Sequence, residues 1–260
     1  MNTLSLSIAD QIATVTLDRP QVKNAMSFEM MDELVIMGQE LKETPDLRAV
    51  ILTGRDGNFC SGLDTSAVMG GVNMSEIKET LSNLDPELGT RFQAPSLIWT
   101  QLNIPVIAAL EGVCFGAGVQ LALGADFRIA EPQTKLAILE AKWGLIPDMG
   151  LSKTLPPLMR ADQAKHLIMT GDIIDATRAH KLGLVTALDE TPLEAARTLA
   201  RTLLQNAPEQ IASAKQLVDQ TWGTTGDLAL EAALQSNLIG HPNMMAKAMA
   251  SATKTPPKFT

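Results

Sequence analysis

The chain has 260 residues, of which 45% are hydrophobic and 19% are charged, and its formal net charge is −8. This length and composition are typical of a globular enzyme that has one large α/β core with an appendage, or two domains. The acidic balance argues against a nucleic-acid-binding surface, which would need a basic face.

Short apolar segments alternate with amphipathic ones over the first two thirds of the chain, which predicts parallel sheets connected by helices. The first two strands are close enough to form a hairpin, and Ser27 is the expected N-cap of the first helix. The predicted strands comprise residues 4–8, 13–17, 49–53, 104–110, 127–130 and 136–139, and the predicted helices comprise residues 27–42 and a segment after Gly118.

Two segments of this region are less regular. Residues 69–86 carry glycine, asparagine and serine without a clear period, and they predict a mobile loop with a partial helix. Residues 150–158 predict a short helix, and Asp148 is a candidate for its N-cap.

Strand signals stop near Pro192, which divides the chain into an expected α/β core at residues 1–190 and an expected helical region at residues 191–260. Apolar faces on these helices would not remain in water on so acidic a chain, so we expect them to pack against neighbouring subunits. The predicted helices comprise residues 192–204, 208–220, 228–239 and 242–252, and the apolar faces include Ile211, Ala214, Leu217, Val218, Leu228, Leu230, Ala233 and Leu234.

No secretory signal or membrane span is expected. Residues 1–20 lack a basic region followed by a continuous apolar run. The most apolar stretch, residues 104–123, contains a proline, a glutamate and a glutamine, which disfavours a membrane span. The only cysteines, Cys60 and Cys114, are too few for a disulfide framework and indicate a cytoplasmic protein, in which both are more typical of packing residues than of nucleophiles.

Two glycine-containing turns are the most informative features of the chain. One covers residues 58–64, directly after a predicted strand, and in the other Gly116 and Gly118 flank Ala117 before a predicted helix. Small residues let a backbone N–H approach a ligand closely. Two backbone donors from separate turns are what the stabilisation of a thioester enolate requires.

Five ordered segments carry a resemblance to a known family. They are Leu-Asp-Arg-Pro with Asn-Ala-Met at residues 17–26, Phe-Cys-Ser-Gly-Leu-Asp at 59–64, Gly112 through Asp126, Glu140 with Gly-Leu-Ile-Pro at 144–147, and Thr-Gly with Ala and Gly-Leu-Val at 170–185. Their order and spacing resemble the enoyl-CoA hydratase/isomerase (crotonase) family along nearly the whole chain.

The resemblance implies an α/β fold, a crotonase-like spiral of ββα units followed by a C-terminal helical trimerisation region. It implies a homotrimer or a dimer of trimers that takes a coenzyme A thioester as substrate and binds no permanent cofactor. In such an enzyme the oxyanion hole would be the backbone N–H groups of Ser61 and Ala117.

The resemblance also implies which segments hold coenzyme A, largely through backbone groups. Lys23 meets a phosphate or is simply one more exposed lysine, and both interpretations stay open. The three histidines are scattered, and no metal-ligand spacing is present. The implied CoA- and substrate-binding residues are Lys23, Ala25, Ser61, Gly62, Leu63, Asp64, Gly116 and Ala117.

Proton transfer depends on three side chains. Hydratases of the family use two glutamates, and the matching positions here are Gln120 and Glu140. An amide cannot exchange a proton at neutral pH, so Gln120 is a pocket-lining residue or an ordinary polar helix residue. Glu140 is the candidate base, the alternative being a surface carboxylate. Asp148 is either a second proton-transfer group, as in some isomerases of the family, or the helix N-cap.

One carboxylate base with an intact oxyanion hole slightly favours double-bond isomerisation of an enoyl-CoA. Hydration to a 3-hydroxyacyl-CoA is the alternative reaction, although water would have to be activated with one carboxylate fewer. A non-catalytic acyl-CoA-binding trimer is the alternative of another class, but it would have no need of Glu140.

Overall fold

A computed structural model describes residues 1–64, 79–222, 235, 237, 239, 241–253 and 255–260. The strands are β1 (Leu4–Ala9), β2 (Ile12–Leu17), β3 (Ala49–Gly54), β4 (Val106–Leu110), β5 (Val113–Phe115), β6 (Phe127–Ala130), β7 (Lys135–Ala137), β8 (Ile174–Asp175) and β9 (Ala187–Leu188). The helices are α1 (Phe28–Lys42), α2 (Ala94–Leu97), α3 (Ala117–Leu123), α4 (Leu151–Thr154), α5 (Ala161–Thr170), α6 (Ala176–Lys181), α7 (Pro192–Leu204), α8 (Pro208–Thr221) and α9 (Pro242–Thr253).

The chain begins with the predicted hairpin. Strands β1 and β2 pair antiparallel, with Leu4 opposite Leu17 and Ala9 opposite Ile12. Asp10 and Gln11 make the two-residue turn, and their φ values of 52° and 63° are those of the turn type that matches the twist of paired strands.

The main sheet has the strand order β1-β2-β3-β4-β6-β9, and it is parallel from β2 onward. Such sheets are buried on both faces. Helix α1 packs on one face of the sheet. The Ser27 hydroxyl caps this helix by accepting a hydrogen bond from the Met30 N–H at 3.2 Å. The other face is covered by helix α7, whose Ala196 and Ala200 are fully buried. The predicted parallel sheet and the predicted cap are both confirmed.

A second, smaller sheet has the order β5-β7-β8, and β5 pairs parallel with β7. The sequence did not predict β5, which is only three residues long. On its other side, Cys114 of β5 forms a parallel β-bridge with Cys60. Because the pairings are parallel, the segments that leave Cys60, β5 and β7 all emerge at one edge of the sheet.

The C-terminal part of the described chain is helical, as predicted. Helix α7 belongs to the core of its own chain, whereas helices α8 and α9 contact each other. Of the predicted third helix, residues 228–234, 236 and 238 lie outside the described residues. The predicted loop at 69–86 is described only from residue 79, and residues 79–82 are helical. Within the described ranges, no helix is long and apolar enough to cross a membrane.

Candidate active site

Three segments converge at the edge of the small sheet. The Cys60 N–H donates to the Val113 carbonyl at 3.0 Å, and the Phe115 N–H donates to the Cys60 carbonyl at 2.9 Å. On the other side of β5, the Gly116 N–H donates to the Ala137 carbonyl at 2.8 Å. These ladders place the turn at 61–64, the turn at 116–117 and Glu140 next to one another.

The turn at 61–64 presents a different backbone donor from the one that the sequence predicted. The Ser61 N–H donates to the carbonyl of Lys23 at 3.0 Å, so it is already satisfied inside the protein. Gly62 has φ +103°, a conformation that favours glycine. After it, the Leu63 N–H donates to no acceptor among the described residues. The structure therefore contradicts the prediction that Ser61 presents an open backbone donor, and the open N–H of this turn is that of Leu63.

Pairing explains where the Leu63 N–H points. Met26 forms a parallel bridge with Leu63, in which the Met26 N–H binds the Gly62 carbonyl at 2.8 Å and the Asp64 N–H binds the Met26 carbonyl at 2.9 Å. The N–H between these two bonds is that of Leu63, and it faces away from Met26. The sequence alone does not show whether the N–H of Ser61 or that of Leu63 is open, because this depends on pairing with Met26, which is distant in sequence.

The second turn keeps its predicted donor. The N–H of Ala117, the first residue of α3, has no acceptor within the described part of the chain. Gly116 before it has φ +49°, and a Cβ built there would lie 4.0 Å from the Gly62 Cα and 3.4 Å from Glu140 Oε1. The two turns and the carboxylate of Glu140 therefore lie close together around Gly116, with too little room for a large side chain there.

A buried asparagine holds the first turn in place. Asn24 accepts a hydrogen bond from the Arg19 N–H at 2.9 Å and donates to the carbonyls of Arg55 at 3.0 Å and Asn58 at 2.7 Å. The Arg19 guanidinium forms an ion pair with Asp64 at 2.8 Å. The sequence placed Asn24 only within a loop expected to hold coenzyme A through backbone groups, and it gave Arg19 no individual role, although both lie within the segment that carries the family resemblance.

The residues expected to bind coenzyme A lie around this loop and the two turns. Lys23 is exposed, and its backbone is left-handed with φ +51°. Ala25 is buried, and the Ser61 hydroxyl donates to the carbonyl of Val22 at 3.0 Å. The Asp64 carboxylate is engaged by Arg19, which makes it a support of the loop.

Glu140 is the first residue of a 3₁₀ helix that follows β7, and the two oxygens of its carboxylate have different environments. Oε1 accepts a hydrogen bond from Gln120 Nε2 at 2.7 Å, whereas Oε2 is buried and has no hydrogen-bond partner among the described residues. Burial raises the pKa of Glu140, and the nearby Asp148 carboxylate adds to the rise, while a hydrogen bond from the backbone of Glu140 itself and the hydrogen bond from Gln120 oppose it. A buried carboxylate with a raised pKa is the kind of group that can accept a proton as a general base.

Asp148 does not cap a helix. Helix α4 begins at Leu151, its N-cap is Gly150 with φ +85°, and no side chain caps it. That alternative for Asp148 is wrong. Instead the residue lies on an exposed rim next to Glu140, and desolvation by its surroundings raises the pKa of its carboxyl.

The two cysteines lie beneath the turns and are completely buried. Burial raises the pKa of Cys60 to about 11 and the pKa of Cys114 well above its usual value. Thiols in this state are poor nucleophiles, so they act as packing residues, as predicted. Within the described residues, no group of three or more His, Cys, Asp or Glu side chains is placed to hold a metal ion.

Comparison with known proteins agrees with this geometry. The family model for enoyl-CoA hydratase/isomerase matches residues 7–260. The chain is 35% identical over 239 residues to the carnitinyl-CoA dehydratase of Salmonella arizonae, covering 88% of this chain and 83% of that protein. It is 32% identical over 212 residues to the enoyl-CoA hydratase EchA19 of Mycobacterium tuberculosis, covering 80% and 76%.

The solved structures give the same result for the fold. The enoyl-CoA hydratase of Bacillus anthracis superimposes with a TM-score of 0.89 at 28% identity, covering 99% of this chain and 98% of that one. The α/β crotonase fold with a helical C-terminal region, predicted from five sequence segments, is therefore confirmed. With two open backbone donors beside a buried carboxylate and a family match over nearly its whole length, the chain belongs to the enoyl-CoA hydratase/isomerase family and is an enzyme that acts on acyl-CoA thioesters.

Proposed function

We propose that the enzyme moves a carbon–carbon double bond along the acyl chain of an enoyl-CoA. The observation that carries this proposal is the asymmetry between positions 120 and 140. Glu140 offers a buried carboxylate oxygen without a partner, while its neighbour Gln120 is an amide that cannot exchange protons. One base is enough for a proton shuttle.

The oxyanion hole in this proposal consists of the N–H groups of Leu63 and Ala117. Neither N–H has an acceptor among the described residues. Gly116 belongs to the turn of Ala117, and Gly62, in the turn of Leu63, lies close to it. The thioester oxygen would accept both hydrogen bonds, which become stronger as negative charge develops on it. Backbone donors fixed in this way need no reorganisation during the reaction.

The proton path needs only Glu140. Its Oε2 takes a proton from C2 of a 3-enoyl thioester, and the electron pair of that C–H bond delocalises through the thioester and the double bond to give a dienolate. The protonated carboxyl then returns the proton to C4, which leaves a 2-enoyl thioester and regenerates the carboxylate. Atoms and charge balance without a co-reactant.

Coenzyme A would lie along the loop and turn that Asn24 holds together. Backbone groups of Ala25, Gly62 and Leu63 would line this part of the site, and the exposed Lys23 would be available to a phosphate. Asp64 would support the loop through Arg19 rather than contact the ligand.

Hydration is the second candidate, because Asp148 supplies another carboxyl near Glu140. Its charge raises the pKa of Glu140, which places the two groups within electrostatic reach. Asp148 lies on the rim, however, and Gln120 occupies the position next to the base.

Product analysis in heavy-oxygen water separates the candidates. A panel of 2-enoyl, 3-enoyl and dienoyl thioesters is incubated with the enzyme, and the products are identified by mass spectrometry. We expect a shifted double bond without label. Label in a 3-hydroxyacyl-CoA would establish hydration instead, and label in a free acid would establish hydrolysis. Tight thioester binding without any product would favour the non-catalytic alternative.

We also propose that the chain assembles as a homotrimer or a dimer of trimers, with residues 191–260 contributing contacts. Helices α8 and α9, with Trp222 after α8, expose large apolar side chains, from 47% for Val218 to 70% for Met249. Trp222 is 65% exposed and Met245 is 57% exposed. Burial of such surface contributes about 25 cal/mol per Å². Closed cyclic packing is the simplest way to cover it.

Sedimentation velocity at micromolar concentration checks the assembly. The expected species contains three or six copies of the 27.8 kDa chain. Replacing Trp222 with glutamate should shift the distribution towards smaller species, because it puts a charge on the apolar face. A wild-type protein that sediments as a stable monomer would contradict the proposal.

A further inference from the structure

The side-chain amide of Gln120 is held at both ends. Gln120 lies in the first turn of α3 and is only 1% exposed. Its Nε2 donates to Glu140 Oε1 at 2.7 Å, and its Oε1 accepts from the Met149 N–H at 2.8 Å. A backbone N–H can bind only the oxygen of the amide, so the NH₂ group must face the carboxylate. The orientation of the amide is therefore fixed by Met149.

This arrangement gives the two carboxylate oxygens of Glu140 different environments. Oε1 is occupied by the amide, while Oε2 is buried without a donor. A carboxylate with one satisfied oxygen stays ionised more readily than a wholly unpaired one. The unpaired oxygen remains the more basic of the two and keeps a fixed position.

We propose that Gln120 is a positioning residue: anchored by the Met149 N–H, it holds Glu140 so that Oε2 alone carries the proton. The inference rests on the proposed function only in taking Glu140 as the base. It goes further in assigning the position next to the base, where two-carboxylate enzymes have an acid, to an amide that holds the Glu140 carboxylate in one orientation and helps to stabilise its charge.

The charged surroundings of Glu140 limit what else could set its ionisation. Asp148, next to Met149, is the charged side chain that acts on the pKa of Glu140. Lys142 on the same 3₁₀ helix is exposed. On helix α5, which packs against this 3₁₀ helix, His166 pairs with Asp172 on the exposed surface. Replacing Gln120 leaves all of these groups in place.

The test is the pH dependence of kcat for Gln120→Leu, which keeps the volume and removes both hydrogen bonds. Without the amide donor, the charged form of Glu140 loses stabilisation and its pKa rises. The acid limb of the kcat profile should therefore move to higher pH, and kcat at neutral pH should fall about tenfold, with KM changing much less. Gln133→Leu, the same replacement at an exposed position, should leave the profile unchanged.

A second variant, Gln120→Glu, tests the proposal if Gln120→Leu does not fold. In Gln120→Glu the new carboxyl can still accept from the Met149 N–H and, while protonated, can still donate to Glu140. Activity should persist but fall again at high pH, where the new group ionises and the donor is lost, giving a bell-shaped profile.

An unchanged acid limb in folded Gln120→Leu, or no fall in activity at high pH in folded Gln120→Glu, would overturn the positioning role. The result stays separate from the proposed reaction, because the profile can be measured on whichever product the wild-type enzyme forms. Hydration products from the wild type would refute the isomerase proposal alone.

Discussion

Replacing Glu140 with glutamine is expected to lower kcat by about 10²–10⁴ while acyl-CoA thioesters still bind. Glutamine keeps the shape of the side chain but removes the oxygen that takes the proton, and Oε2 has no other partner whose loss would disturb the fold. Steady-state kinetics gives kcat, and calorimetry with a non-reactive saturated acyl-CoA gives the affinity.

The matched control is Glu190→Gln, the same replacement on an exposed glutamate. It should behave as the wild type. If Glu140→Gln keeps activity within about tenfold of wild type, below the range for a general base, the carboxylate of Glu140 is structural and the proton path must be assigned elsewhere.

Replacing Ala117 with proline is expected to lower kcat by about 10²–10³. Proline has no N–H, so one of the two proposed oxyanion donors disappears. The first position of a helix tolerates proline, because its N–H has no partner within the helix. Ala117 occupies this position in α3, which means that the fold should survive.

The control for this variant is Ala161→Pro. Ala161 is exposed and is likewise the first residue of its helix, α5, and the preceding Arg160 is extended as a residue before proline should be. We expect Ala161→Pro to retain activity and both variants to melt cooperatively near the wild-type temperature. If Ala117→Pro folds and works normally, Ala117 is not an oxyanion donor.

Local patterns predicted the elements of the core well. The hairpin, the Ser27 cap and the helices α7 and α8 follow from alternation, capping chemistry and proline at the first helical turn, all of which are readable within a few residues. The missed strands β5, β8 and β9 have only two or three residues each and depend on distant segments for their pairing, so they have no signal of their own.

The sequence identified the motifs that make up the candidate site, but not the hydrogen bonds within it. Sequence located Gly62, Ala117 and Glu140, but it assigned the first donor to Ser61, whose N–H is taken by Lys23. It also could not show that Gln120 is fixed by Met149, because that bond joins residues 29 positions apart. Hydrogen-bond direction depends on three-dimensional pairing, and this information is absent from a single sequence.

The β-bridge between Cys60 and Cys114 would make the proposed oxyanion hole independent of the acyl chain. The donors follow three residues after each cysteine, so their separation is set by the spacing of paired strands, about 4.8 Å, rather than by the shapes of two loops. A larger residue at position 118 would clash with Cys60 and disturb this bridge, since a Cβ on Gly118 would lie 2.8 Å from the Cys60 Cβ. In the proposed site, the thioester oxygen would therefore meet donors fixed by strand pairing, whatever the length of the acyl chain. Substitutions in more distant walls could then change the chain-length preference without moving these donors.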